Sequence, residues 1–153
     1  MPSQRPLDEI DRQIIALLRE NARRSYQDIG GRVALSAPAV KRRVDKLEKD
    51  GVIRGYGAII DPATMGWNTL AIVELYCEGR MPAAQVKANL EAHDEVVSAY
   101  TVAGESAAVV LVRARDTEHL EQTLEAIREP KGVIRTQTQV VLSALLERPL
   151  AEG

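Results

Sequence analysis

Apolar residues in the first fifty positions recur at helical spacing three times. In "LDEIDRQIIALLRENAR", Ile10, Ile14, Leu17 and Leu18 fall on one stripe, and Asp8 stands where an N-cap is needed. In "SYQDIGGRVAL", Ser25 and Asp28 match the S-x-x-D form of a capping box, with Ile29 and Val33 as the inward face. Gly30 and Gly31 weaken that short helix, by about 1 kcal/mol each relative to Ala if exposed, so packing must hold it. The third segment is "LSAPAVKRRVDKLEKDG". Ser36 caps it, Pro38 sits in the first turn where a missing N–H does no harm, Val40, Val44 and Leu47 form the apolar stripe, and Gly51 stops it. At about 100° per residue, Pro38, Lys41, Arg42, Asp45 and Lys49 point away from that stripe, while Ala39 and Arg43 flank it.

The periodicity then changes. "VIRGYGAII" alternates like a strand, and "DPATMGWN" is rich in breakers, so a domain boundary is expected near residue 61. Beyond it the pattern predicts strand "TLAIVELYC", helix "PAAQVKANLEAH", strand "VVSAYTVAG", a turn at "ES", strand "AAVVLVRA", helix "TEHLEQTLEAIR" and strand "VIRTQTQVVLSAL". The expected fold is α+β: a winged helix-turn-helix over residues 1–60, then a ferredoxin-like βαββαβ domain over residues 61–153. Helices in such a domain cover one face of the sheet, yet "VVSAYTVAG" and "AAVVLVRA" are apolar or small on both faces. A second copy of the sheet is the simplest cover, since two-fold homodimers are the commonest oligomers.

Composition sharpens this picture. Hydrophobic residues make up 45% and aromatics only 3%, with no Phe, so the cores must be built of Val, Leu, Ile and Ala. Cores so thin favour further burial against a partner chain. The net charge of -2 hides a division: residues 1–60 carry twelve Lys and Arg against eight Asp and Glu, and residues 61–153 carry eight against fourteen. The halves thus differ from +4 to −6 and face different neighbours. A lone cysteine, Cys77, permits no intrachain disulfide and fits a reducing compartment. The charged start "MPSQRPLDEIDR" and the lack of any apolar run near ~20 residues predict a cytoplasmic protein without a membrane partner.

Three short helices with a tight turn before the last describe a module that binds double-stranded DNA, with the N-terminal part of the last helix against base edges in the major groove. Ser36, Ala37, Pro38 and Ala39 are small enough for close approach. Lys41, Arg42 and Lys46 supply positive charge for phosphates or guanine, and Ser25 begins the preceding helix. Arg43 suits packing or a phosphate contact better than base reading. Taken alone, the Lys41-Arg42-Arg43 triplet would also fit a merely solvated helix face. His93 and His119 show no metal-ligand spacing and read as surface histidines, and no phosphate-binding loop or nucleophile motif is present, so neither cofactor nor catalytic residue is expected.

These residues resemble the Lrp/AsnC (feast/famine) family of transcriptional regulators. The resemblance rests on Leu7, Asp8 and Asp11 of L-D-x-x-D, on Leu35-Ser36, and on Arg43, Val44, Leu47, Glu48, Gly51, Val52 and Ile53 of R-V-x-x-L-E-x-x-G-V-I, and it continues through the second half. It implies a DNA-binding homodimer assembling to tetramers or octamers and sensing a small-molecule effector, usually an amino acid. By the same resemblance the effector sits near the hairpin between the second and third strands of the second domain, with Tyr100, Val102, Ala103, Gly104, Glu105 and Ser106 as its candidate contacts. Thr136 and Thr138 on the last strand could reach it across a subunit interface, though a half-exposed edge strand explains them equally well. The family's G-x-x-D stands here as "GESA", with Ala107 in place of Asp, while Gly104 is also an ordinary turn glycine. A second departure puts Ala34 where relatives have Gly and Gly30 where they have Ala. Sirohaem decarboxylases resemble the same two-domain architecture, and a DNA-compacting protein would share its basic face, so both stand as alternatives.

Overall fold

The computed structural model describes residues 6–79, 81–129 and 132–146 of the 153-residue chain. The chain divides into two compact units, the first ending at Ile59 and the second beginning at Ile60.

In the first unit, α1 spans Glu9–Glu20, α2 Tyr26–Val33 and α3 Ala37–Lys49. Each starts at a side-chain cap read from the sequence. Asp8 accepts from the Asp11 N–H at 2.8 Å, Ser25 from the Asp28 N–H at 3.1 Å, and Ser36 from the Ala39 N–H at 3.3 Å. Ile14 and Leu18 of α1, Ile29 and Val33 of α2, and Val40, Val44 and Leu47 of α3 close one buried cluster, with Leu7, Ile10, Tyr26, Leu35 and Ile53 packed around it. Burial of this shared stripe, and not intrinsic propensity, keeps an eight-residue helix with two glycines folded.

The turn between α2 and α3 is unusual in detail. Ala34 lies in the left-handed region at φ +53, and the Gly30 carbonyl accepts from the N–H groups of both Ala34 and Leu35. A Cβ added at Gly30 would lie 2.4 Å from the Leu35 carbonyl oxygen. The chain therefore needs glycine one turn before the bend, where the backbones touch.

Residues 52–60, expected as a strand, form none. Their first part is consumed in ending α3: Gly51 at φ +70 donates to Glu48 O, and Val52 and Ile53 both donate to Leu47 O, a Schellman-type stop. The remainder pairs with no strand among the described residues; Ile59 stands 97% exposed. An alternating pattern without a neighbour cannot make a ladder.

The second unit opens with a 3-10 turn, Pro62–Met65, capped by Asp61. There follow β1 (Thr69–Cys77), α4 (Ala83–Leu90), β2 (Val96–Tyr100), β3 (Ala108–Ala114), α5 (Thr117–Arg128) and β4 (Val133–Val140). The sheet order is β2-β3-β1-β4, antiparallel throughout, which is the ferredoxin-like arrangement. Ala71, Val73 and Leu75 of β1 oppose Val112, Val110 and Ala108 of β3, and this face is sealed by Val86 and Leu90 of α4 and Leu120 and Ile127 of α5. The other face pairs Ile72 with Leu111 and Glu74 with Val109, all only half-buried.

Three boundaries differ from the sequence pattern. β2 ends at Tyr100, opposite Val109, so residues 101–107 form a loop and not a strand with a two-residue turn. β4 ends at Val140, opposite Ala71, with the Val141 N–H still donating to Leu70 O just beyond it. α4 stops at Leu90, where Glu91 caps it and the chain turns.

Candidate functional site

α3 presents its predicted face. Ser36, Pro38, Lys41, Arg42 and Lys46 are exposed, and Ala37 and Ala39 are half-buried at the helix start. Placing Pro38 in the first turn costs no hydrogen bond, and the Ser36 cap fixes the direction in which the helix leaves the turn. The basic residues are not equivalent. Lys41 Nζ lies 2.6 Å from Asp45 Oδ2, which holds its ammonium above the usual lysine range. Arg42, Lys46 and Lys49 carry no ion pair among the described residues.

Arg43 occupies a different position. Its Nη1 reaches back to α1, 2.7 Å from Asp8 Oδ2 and 2.7 Å from Asp11 Oδ1. The hydrogen bonds to Asp8 and Asp11 push the guanidinium's pKa further up. Asp11 is one of the two polar residues in the buried set, and no described buried side-chain polar atom lacks a partner. Arg43 thus ties α3 to the start of α1. Sequence periodicity placed it beside the apolar stripe but could not identify carboxylates 32 and 35 positions away as its partners.

Two further ties brace the same unit. Arg24 bridges Glu20 and Asp28 at 2.8 Å each, and its hydrogen bond lowers the Asp28 pKa below the usual carboxylate range. Ser25 is exposed, with its oxygen engaged in the α2 cap. Tyr56 donates to Glu48 Oε1 at 2.8 Å, and burial together with that carboxylate pushes its phenol up to about 12.

In the second unit the candidate effector residues separate. Tyr100 ends β2 on the face away from the helices, opposite Val109, and is 64% exposed. Val102, Ala103, Gly104, Glu105 and Ser106 lie on the following loop, with Gly104 at φ +152 and open space around it. Thr136 and Thr138 lie on β4 opposite Leu75 and Val73, on the helix-covered side. β2 and β4 are the two edges of the sheet, about 14 Å apart at roughly 4.8 Å per strand. The loop ends nearer to Thr136 than that, because Ala107 bonds Leu75 O and Leu75 lies between Ala108 and Thr136 in the sheet. Ala107, in the position of the family's Asp, donates its N–H to Leu75 O at 2.7 Å, so the backbone is anchored without a side-chain carboxylate.

A cavity of about 650 Å³ lies between α4 and β2, with Val86, Leu90, Val97, Ala99 and Ala108 as apolar wall, Lys87, Glu91 and Asp94 at its margin, and Tyr100 at one end. Of the candidate effector contacts, only Tyr100 lines it. The other lining residues carried no functional signal in the sequence, because helix-to-sheet packing uses the same apolar types.

His119 corrects an expectation. It is not a surface histidine: its side chain is 13% exposed, Nε2 lies 2.9 Å from Glu95, Nδ1 accepts from the Arg115 N–H, and its ring stacks on Trp67 with centroids 6.0 Å apart. These contacts join α5 to the start of β2. Among the described residues no three His, Cys, Asp or Glu side chains are grouped as a metal site would need.

Residues 7–48 match the AsnC-type helix-turn-helix domain, and residues 70–151 match the Lrp/AsnC ligand binding domain. The chain belongs to the Lrp/AsnC family of transcriptional regulators. It is 47% identical over 142 residues to the HTH-type transcriptional regulator Rv2324 of Mycobacterium tuberculosis, covering 93% of this chain and 96% of that one. Its fold matches the solved structure of E. coli AsnC with a TM-score of 0.90 at 25% identity, over 95% of this chain and 99% of that one. The feast or famine regulatory protein Rv3291c of M. tuberculosis, solved in complex with L-methionine, matches with a TM-score of 0.88 at 34% identity, again over 95% and 99%. As an Lrp/AsnC member the chain has an N-terminal helix-turn-helix followed by a four-stranded ligand-binding sheet domain. No described helix is long and apolar enough to cross a membrane.

Proposed function

We propose that this Lrp/AsnC protein is a sequence-specific, DNA-binding transcriptional regulator of the cytoplasm, with α3 as its reading helix and the second unit as sensor of an amino-acid-class effector. The observation that carries the reading is the outward face of α3, where small residues lead and unpaired Arg42 and Lys46 follow on a helix fixed by Arg43 to α1. Arg42 suits a bidentate grip on guanine, Lys41 and Lys46 suit phosphates, and Ser25 stands at the α2 start where a backbone phosphate would pass. Arg43 acts by positioning.

The half-buried pairs Ile72–Leu111 and Glu74–Val109 form the face on which a second copy packs, giving a homodimer that builds tetramers or octamers. The L-methionine complex of Rv3291c supports an amino-acid effector, and the loop at Gly104–Ser106 with Tyr100 is its proposed place. Thr136 and Thr138 take part where another copy brings them to that loop. We assign no catalytic step and no cofactor.

Selection of duplexes from a random library tests the first part. Enrichment of a near-palindromic site with half-sites about one turn, roughly 34 Å, apart supports it; no enrichment sinks it. A thermal screen against the twenty amino acids tests the second, since a ligand at a hundred times its dissociation constant stabilises by about 2.7 kcal/mol. If none raises the unfolding temperature, the amino-acid reading fails, and the Ala107 departure is the reason to look elsewhere.

A further inference from the structure

Asp45 lies on the outward face of α3, between its basic residues. At about 100° per residue it falls between Lys41 on one side and Arg42 and Lys46 on the other, opposite the buried stripe of Val40, Val44 and Leu47. Its carboxylate is half exposed and holds Lys41 at 2.6 Å. An exposed pair of this kind contributes little to stability, and Lys before Asp is the weaker order for a helix. A negative charge within a surface that meets a polyanion opposes every phosphate contact there. One positive partner is also withheld by it, because Lys41 is committed to Asp45 while Arg42 and Lys46 are not.

Resting on the assignment of α3 as the reading helix, we propose that Asp45 is a specificity-determining residue, which suppresses sequence-independent binding and accepts a hydrogen bond from a cytosine amino group at the bound site. The two effects have one origin. A carboxylate facing the groove finds a favourable partner only where a base offers an N–H donor, and in the major groove cytosine N4 is the donor that an acidic side chain accepts. Over guanine and thymine edges and along the phosphates the same carboxylate meets only acceptors, and Lys41 stays on Asp45. At the correct site Lys41 is freed to a phosphate while Asp45 turns to the base. Specificity of this kind comes from penalising the wrong partner as well as rewarding the right one.

The test uses the full-length protein with two probes: a duplex enriched by selection with the wild type, and the same duplex with its half-sites scrambled. Asp45→Asn is expected to bind the scrambled duplex severalfold more tightly, with a steeper salt dependence as Lys41 is released, and to lower the ratio of selected to scrambled affinity about tenfold. Asp45→Glu is expected to keep weak binding to the scrambled duplex. Placing Asp45→Asn in a Lys41→Ala background separates the two parts: the ratio must still fall if the carboxylate itself reads a base. An unchanged ratio for Asp45→Asn in the wild-type background overturns the proposal while leaving the reading helix intact. If instead the wild type enriches no duplex, the underlying assignment is what has failed.

Discussion

Ala34 is the only described non-glycine residue with positive φ, and Gly30 is the residue whose missing side chain lets the bend close. A non-glycine residue in the left-handed region carries roughly 1–2 kcal/mol of strain. Ala34→Gly is therefore expected to stabilise the protein by about 0.5–1 kcal/mol after the added freedom of the unfolded chain is subtracted. Gly30→Ala must push the Leu35 carbonyl away and is expected to cost at least about 1–3 kcal/mol, as overpacking does. Urea unfolding of the two variants checks both signs. The sequence showed two glycines weakening a short helix but not which one was needed, because the contact at Gly30 is made by a backbone beyond the turn. At the same scale, Arg43→Met leaves the Asp11 carboxylate without its Nη1 partner and is expected to cost about 1–3 kcal/mol. Arg43→Met with Asp11→Leu should recover part of that loss; a strictly additive cycle would show that the tie contributes nothing. Tyr56 supplies a pH signature. Its phenol is raised from 10.0 to about 12 in the folded state, so its contribution is fully present below about pH 10 and is lost as pH rises through about 12. The stability difference between wild type and Tyr56→Phe is expected to narrow over that window, and a constant difference would rule the contact out as its source.

Elements whose partners lie within the chain were readable from periodicity. The three N-terminal helices start at their expected caps, and β1 and α5 span the expected residues, since each has a buried neighbour that selects one face. Residues 52–60 and the ends of β2 and β4 were not, because strand character depends on a neighbour that local pattern does not reveal. Tyr100 lies on one edge strand of the sheet and Thr136 and Thr138 on the other, a placement that local pattern does not reveal either. The open sheet face is where a second copy is expected. Leu111→Lys there should shift the protein from dimer or larger to monomer in light scattering while leaving the helix-covered core, built on Val110 and Val112, intact. A variant that keeps its mass in solution would move the interface to another surface.

At the scale of the molecule, the two halves carry opposite charge, and the first contains a match to a helix-turn-helix domain and the second a match to a ligand binding domain. The face of α3 proposed to meet DNA stands out more in the sequence than the proposed effector site because it is one contiguous helix face. The proposed effector residues are spread over a loop and both sheet edges and lack the family's Asp. The reading helix is tested most directly by measuring affinity for a selected duplex over a range of salt, for the wild type and for Lys41→Ala with Arg42→Ala. The double variant should keep its oligomeric mass and unfolding temperature, bind much more weakly, and lose about 0.9 from the log–log salt slope for each phosphate contact removed. Affinity and slope equal to those of the wild type would show that this face of α3 does not touch DNA.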